Sequence, residues 1–395
     1  MVLKGYSKMN IIQFGNKNNA LGNLCVGEKQ KTLVIAGVGT SESTCSLEYE
    51  LKKVRQALLA GADMVSDHSF FGDINNFHKR IIFELGARLS VVASYELAVR
   101  HKHKKWDKLG LNQILSLLEE QVARGIDIIT IHATLTQDDL KLLKTSKRTI
   151  PMTSKGGGII ADYMIQTGEE NPYWVYFDKI LDLISGTGVA ISLGTTFRPA
   201  SVYDKWDCFS ESEITKMGEL VAKADKLNIP IIVEGLGHVS IDEIDKIVKR
   251  TKLKCYNAPY RILSVSTDRA IGGDHISGAI AAAIAVASGA NMIQAVSRKE
   301  HVGLPNADDI VEAVTSAKIA ATVGELVSIG NYELEYEMAK SRWQNGCHGN
   351  LNYSIIPRSV LAMTVNENER IKSCSMCGDY CGLEFAHSVI KSKQL

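Results

Sequence analysis

From residue 32 onward the chain repeats one pattern, a short β-branched run followed by an amphipathic stretch of helical period. The runs are "TLVIAGVG" (32–39), "ADMVSDHS" (62–69), "LSVVAS" (89–94), "IDIITIHA" (126–133), "TIPMTS" (149–154), "GVAISLG" (188–194), "IPIIVEGLG" (229–237), "KCYNAPY" (254–260) and "NMIQAV" (291–296). Between them lie segments such as "SLEYELKKVRQALLAG" (46–61) and "LNQILSLLEEQVARG" (111–125), whose apolar residues recur every three or four positions. Parallel strands need a crossover, and a helix is the compact one, so strand-then-helix repeated this often implies parallel β-α units. Nine candidate strands between residues 32 and 296 suit a closed eight-stranded (β/α)8 TIM-type barrel with one strand over. An open doubly wound sheet is the second choice. No G-x-G-x-x-G follows the first run, so the usual dinucleotide fingerprint is missing.

The β-rich runs stop after "HVGLPNADDIVEAVTSAKIAATVGELVSIG" (301–330). The expected organisation is an N-terminal segment over 1–31, an α/β barrel over 32–310, and a helical C-terminal extension over 311–395 that carries a cysteine cluster. Basic and acidic residues nearly cancel, 45 against 44, so no global field argues for nucleic acid or a membrane surface as a partner. Small phosphorylated ligands stay open. The N-terminal residues lack the apolar core of a secretory signal. The apolar run "ISGAIAAAIAVASGANMIQAV" (276–296) breaks at Gly289-Ala290-Asn291, which fits a buried helix leading into a buried strand better than a membrane span. A cytoplasmic protein is expected.

In a parallel barrel the strand carboxyl ends and the loops after them build one mouth, and the unusual polar residues sit there. His132 closes "IITIHA", Asp67 and His68 end "MVSDH", Arg198 follows "ISLGTTF", and Glu234 and His238 lie in "IIVEGLGH". The stretch "TSKGGGIIADYMIQ" (153–166) offers Ser154, Lys155, Gly156 and Gly157 at a helix start, where bare backbone and a positive partial charge can hold a phosphate. Three glycines serve a flexible turn equally well. His238 and His301 ("KEHVGLPN") are neutral imidazoles that could hold a borderline divalent metal, zinc or iron, and leave positions open. Spacing alone does not favour that role over hydrogen bonding to core carbonyls.

Of eight cysteines, three stand together as Cys374, Cys377 and Cys381 in "CSMCGDYC". Zinc wants four closed ligands, and His387 could complete a Cys3His knuckle, which spacing by itself favours. A [4Fe-4S] cluster on three cysteines would instead leave one iron open to chelate S-adenosylmethionine and split it into radicals.

Taken in order, the motifs resemble the phosphomethylpyrimidine synthase (ThiC) family. They include "GTS" (39–41), "GAD" (61–63), "GDI" (72–74), "TIHA" (130–133), "SKGGGI" (154–159), "ENPYWVYFDKI" (170–180) and "SLGTTFRPAS" (192–201). They continue with "VEGLGHV" (233–239), "NAPY" (257–260), "GGDHISGAI" (272–280), "KEHVGLPN" (299–306) and the cysteine triplet. The resemblance implies a (β/α)8 barrel, a radical S-adenosylmethionine lyase, and a [4Fe-4S] cluster on Cys374, Cys377 and Cys381. This reverses the zinc reading of the triplet. It also implies a phosphorylated ribotide as substrate, a reductant protein as electron source, a homodimer whose tail reaches the partner subunit's site, and a metal on His238 and His301. Ser154, Gly156 and Gly157 fall on the phosphate loop of such proteins, and Lys155 stands beside them. Tyr95, His132, Arg198 and Glu234 fall on substrate contacts, with Glu234 a candidate proton shuttle.

The departures gather at the substrate end. The family pattern Val-Asn-Ala-Asn is here Val34-Ile35-Ala36-Gly37, an expected aspartate is Thr195, an expected tyrosine is Arg261, and the cysteine spacing is one residue short. Arg261 adds a cation and five donors suited to a second anionic group. These changes imply that the radical chemistry persists while the substrate has shifted. Two other readings stay open, a paralogue resembling 5-hydroxybenzimidazole synthase and a non-catalytic phosphate-binding barrel with a zinc-stapled tail.

Overall fold

A strand buried on both faces must be apolar throughout, and the β-branched runs fold accordingly. The computed structural model describes residues 10–14, 23–42, 46–101, 106, 109–357 and 380–392. Its strands are β1 (Ile11–Phe14), β2 (Leu24–Gly27), β3 (Leu33–Val38), β4 (Met64–Asp67), β5 (Leu89–Val92), β6 (Ile128–Ile131), β7 (Ala190–Leu193), β8 (Ile231–His238), β9 (Tyr260–Val265) and β10 (Met292–Gln294). The last eight close into a barrel in the order β10-β3-β4-β5-β6-β7-β8-β9. All pairs are parallel, and β10 closes the ring on β3 through Met292 opposite Leu33. Helices cross over between them, as the repeat pattern requires.

Two of the expected strands differ. "TIPMTS" (149–154) is not a strand, because the Asp204 carboxylate takes the Thr149 and Ile150 amides at 2.6 and 3.0 Å, and Pro151 has no N–H to give a ladder. The segment runs instead into Ser154, which caps the helix Lys155–Thr167. "KCYNAPY" (254–260) is mostly a turn, with Tyr256 and Asn257 at φ 53° and 63°. The strand itself is the following "YRILSV", whose arginine and serine hide it from an apolar search. The run over 276–296 is the helix Asp274–Ala287 followed by β10, as expected. Among the described residues no helix is long and apolar enough to cross a membrane.

The segment ahead of the barrel contributes the antiparallel hairpin β1-β2. Ile12, Phe14 and Val26 from it join Leu33, Ile35, Met64, Ile128, Ala190, Ile232 and Met292 in one apolar cluster, so the hairpin plugs the amino-terminal end of the barrel. Asn291 pins it there, donating to the Gly27 carbonyl at 2.9 Å while accepting from the Tyr260 amide at 3.1 Å.

Contacts divide the chain into two units, residues 1–329 and 330–395. The expected boundary near 310 falls within the helix Ala307–Ser328, which lies whole in the first unit. Its Gly324 packs so close to the helix Asp274–Ala287 that a Cβ there would meet Val286 at 2.5 Å. The second unit holds the helices Glu333–Asn345 and Gly382–Lys391. In it the His387 ring stacks on Trp343 with centroids 3.8 Å apart, and its Nε2 bonds the Trp343 carbonyl at 3.0 Å.

Candidate active site

Above the apolar plug the inward side chains turn polar. Register sets Gly37 beside Ser66, Ser66 beside Ser90, Thr130 beside Ser192, and Glu234 beside Arg261. Small hydroxyls on four strands leave the width that Arg261 needs to reach across. Its Nη1 donates to Ser90 Oγ at 3.1 Å and meets Glu234 Oε1 at 3.3 Å, while Nη2 donates to Ser66 Oγ at 3.2 Å and to Gln294 Oε1. Both terminal nitrogens are therefore committed to the protein, which leaves no fork for the second anionic group expected at Arg261.

Over this floor opens a chamber of about 410 Å3, to which every barrel strand or the loop after it contributes. It collects Tyr95, His132, Ser154, Lys155, Arg198, Glu234, His238, Arg261 and His301, all expected from sequence. Gly156 and Gly157 stand just behind its wall. A Cβ on Gly156 would fall 2.1 Å from His132, and one on Gly157 2.6 Å from Thr196, so these glycines let the helix start approach the β6 and β7 ends. Ser154 Oγ accepts the Gly157 amide at 3.1 Å, while the amides of Lys155 and Gly156 precede the first helical bond.

Charge in the chamber is asymmetric. Glu50 neutralises Lys53 at 2.6 Å and Glu234 neutralises Arg261, whereas Lys155 and Arg198 have no ion pair among the described residues. Arg198 is steadied by its Nη1 bond to the Thr195 carbonyl at 2.9 Å. The two unpaired cations thus form a cationic pole above a neutralised floor, with the Glu300 carboxylate also in the chamber lining. Burial alone would raise the Glu234 carboxyl, yet Arg261, His132 and the Ser192 hydroxyl hold it below the ordinary value. Thr130 and Ser192 donate to the same Oε1 at 3.1 and 2.8 Å, and Oε2 takes no protein donor among the described residues. Burial brings His132 down to about 4, and pushes the Tyr95 phenol up to about 12, so near neutrality one is an uncharged imidazole and the other an O–H donor.

His238 and His301 come together at the rim, ring centroids 5.1 Å apart. Each Nδ1 is tied to a carboxylate, His238 to Asp268 at 2.7 Å and His301 to Asp274 at 3.0 Å. A carboxylate is acceptor-only, so each Nδ1 is the donor, and in the neutral imidazole this tautomer places the lone pair on Nε2, the arrangement that orients imidazole toward a metal. Burial opposes the charge on Asp268, but His238, Ser201 and the Val202 amide outweigh it and keep the carboxyl below its usual range. Among the described residues no three His, Cys, Asp or Glu side chains are placed to hold one metal ion, so this pair would supply two ligands and leave the rest open. The donor set fits zinc or iron.

Several residues of the site were not picked out by sequence. Gln294 and Lys53 line the chamber and Asp268 orients His238, while Asp274, which lies in the motif "GGDHISGAI" with no role given to it by sequence, orients His301. A glutamine inside the buried run "NMIQAV" was the available signal for the first. Thr195 points away from the chamber and donates to Glu213, whose carboxylate also takes the Thr134 hydroxyl at 3.0 Å and the Thr196 and Phe197 amides at 2.6 and 3.0 Å. The aspartate missing at 195 therefore removes no chamber contact in this chain. Asp67 is also structural, held by Ser69 and by His78 at 2.8 Å. Cys374 and Cys377 lie outside the described residues, and Cys381 stands at the start of the helix Gly382–Lys391.

A closed β/α ring whose strand ends surround one polar chamber places the protein among the (β/α)8 barrels. Residues 1–388 match the family described as the Radical SAM ThiC family. The phosphomethylpyrimidine synthase of Thermoanaerobacter sp. (strain X514) is 36% identical over 392 residues, 97% of this chain and 90% of that one. Those of Carboxydothermus hydrogenoformans and Thermus thermophilus are 36% and 33% identical, covering 91% and 93% of this chain and 85% and 86% of their own. The chain belongs to the radical SAM ThiC family.

Proposed function

We propose that the protein is a radical S-adenosylmethionine lyase that rearranges aminoimidazole ribotide or a related ribotide, in the formation of the thiamine pyrimidine. The observation that carries this reading is the unneutralised pole of Lys155 and Arg198 in a chamber bordered by the His238–His301 pair. Cys374, Cys377 and Cys381 would hold the cluster, and His238 and His301 the second metal. When bound, a three-cysteine cluster supplies the electron that splits S-adenosylmethionine and so provides the hydrogen-abstracting species.

The rest falls to the chain itself. Lys155, Arg198 and the free amides at the start of Lys155–Thr167 hold the substrate phosphate and so fix the distance of the ribose carbons from the rim. Glu234 Oε2, kept ionised, accepts a ligand N–H or O–H and can receive a proton during the rearrangement. Tyr95 donates from the wall. The hairpin plug closes the far end of the barrel to water.

A reductant protein, a cytoplasmic setting and a homodimer with tail exchange belong to the same proposal. The test is anaerobic reconstitution with iron, sulfide, reductant and S-adenosylmethionine, screened against ribotides for 5′-deoxyadenosine. Release that depends on Cys377 and on a ribotide supports the reading, and a zinc-loaded protein without release sinks it. The rebuilt floor at Gly37 and Arg261 favours a second reading, a relative of 5-hydroxybenzimidazole synthase acting on the same ribotide. Mass spectrometry of the product separates the two.

A further inference from the structure

The chamber floor has one feature that neither the phosphate pole nor the histidine pair uses. Gln294, 6% exposed, turns its carbonyl oxygen to Arg261, which fixes which end of the amide points away. The other end, Nε2, makes no hydrogen bond among the described residues and lines the chamber. It occupies the space over Gly37, where a Cβ would sit 3.1 Å from it and 3.4 Å from the His68 ring. A side chain at 37 would therefore crowd the glutamine amide against the His68 ring. On the other arm of the same guanidinium, Glu234 is held through Oε1 with Oε2 free. One buried cation thus positions a lone donor and a lone acceptor, both facing the cavity.

We propose that Gln294 and Glu234, set by Arg261 as a positioning residue, form a reader for the ring end of the substrate. The chamber then selects a phosphorylated heterocycle whose edge away from the phosphate carries a hydrogen-bond acceptor together with an N–H or O–H donor. His68, bonded through Nε2 to Ser66 at 3.0 Å and brought down to about 4 by burial, adds no charge that would favour a carboxylate there. This assignment deepens the phosphorylated-ligand reading above and rests on it for the position of the other end.

Calorimetry on the anaerobically purified full chain, with ribose 5-phosphate and aminoimidazole ribotide as probes, tests it. Gln294→Glu keeps an acceptor for Arg261 but replaces the amide donor with a carboxylate oxygen and adds a negative charge, whereas Gln294→Leu removes donor and acceptor and adds no charge, so agreement between the two separates the lost donor from the added charge. The expected result is ribotide affinity about tenfold weaker in both variants, with ribose 5-phosphate bound as by wild type, which reports that the barrel is folded. The proposal is overturned if Gln294→Glu binds the ribotide as wild type does, or if wild type binds the ribotide no more tightly than ribose 5-phosphate. Ribotide binding that depends on Gln294 but not on Lys155 or Arg198 keeps the reader and removes the phosphate pole. Binding of neither probe removes both.

Discussion

Gly156 and Gly194 flank the His132 ring so closely that a Cβ on either would lie within 3 Å of it, at 2.1 and 2.8 Å. Gly156→Ala is expected to cost about 1–3 kcal/mol by overpacking and to displace the helix start, so ribose 5-phosphate binding falls with it. Urea denaturation and calorimetry on the same sample check both. His132 also sets a pH dependence. Its imidazole protonates at about 4 in the folded protein against 6.5 when free, so between those values the unfolded chain holds a proton that the native state lacks. Stability therefore rises with pH across that window and is lost as pH falls through it, by up to about 1.4 kcal/mol per pH unit. His132→Asn should lessen this slope between pH 6.5 and pH 4, leaving the share that His68 contributes over the same window, and urea midpoints measured across it decide the matter.

At the scale of elements, the hairpin β1-β2 is the part of the barrel that its repeat pattern gives no hint of. Phe14 is 1% exposed and lies among Ile35, Met64 and Ile232. Phe14→Ala is expected to cost about 3–5 kcal/mol, because the surrounding strands are held in a closed ring and cannot collapse onto the space. A drop in the melting temperature without change in far-ultraviolet circular dichroism at low temperature is the expected signature. A loss much below about 1 kcal/mol would mean that the hairpin is not packed as described. The helix Lys155–Thr167 illustrates the opposite dependence. Its start is set locally by Ser154, yet its closeness to the chamber is set by which residues β6 and β7 present to its glycines.

For the whole molecule, the tail-exchange proposal makes a prediction that no single chain can satisfy. A Glu234→Ala protein has an intact tail and a damaged chamber, and a Cys377→Ala protein the reverse. Mixed after gentle dissociation and reconstituted together, the two should regain 5′-deoxyadenosine release if the tail of one chain serves the chamber of the other. If each tail serves its own chamber, the mixture stays as inactive as its components. The histidine pair gives a separate expectation. His238→Ala should lower zinc retention on equilibrium dialysis by 10-fold or more, and Asp268→Asn by about 10–100-fold, since the carboxylate fixes the ring that would bind.

The barrel was legible from residue order alone because parallel strands buried on both faces have to be written as unbroken β-branched runs, and helices as three-four periodicity. His132, Arg198, Glu234 and His238 were legible for a related reason, since strand carboxyl ends and the loops after them converge on the mouth, although Asp67, at the end of β4, turns instead to Ser69 and His78. Strand β9 was hidden because two of its polar residues, Arg261 and Ser264, find partners on other strands and need not be apolar. Tertiary structure alone decided that Thr195 serves Glu213, that Asp268 and Asp274 orient the histidines, and that Arg261 spends both arms on the floor. Those are pairings between residues far apart in the chain, and a hydrogen bond depends on distance and direction in space, which residue order does not contain.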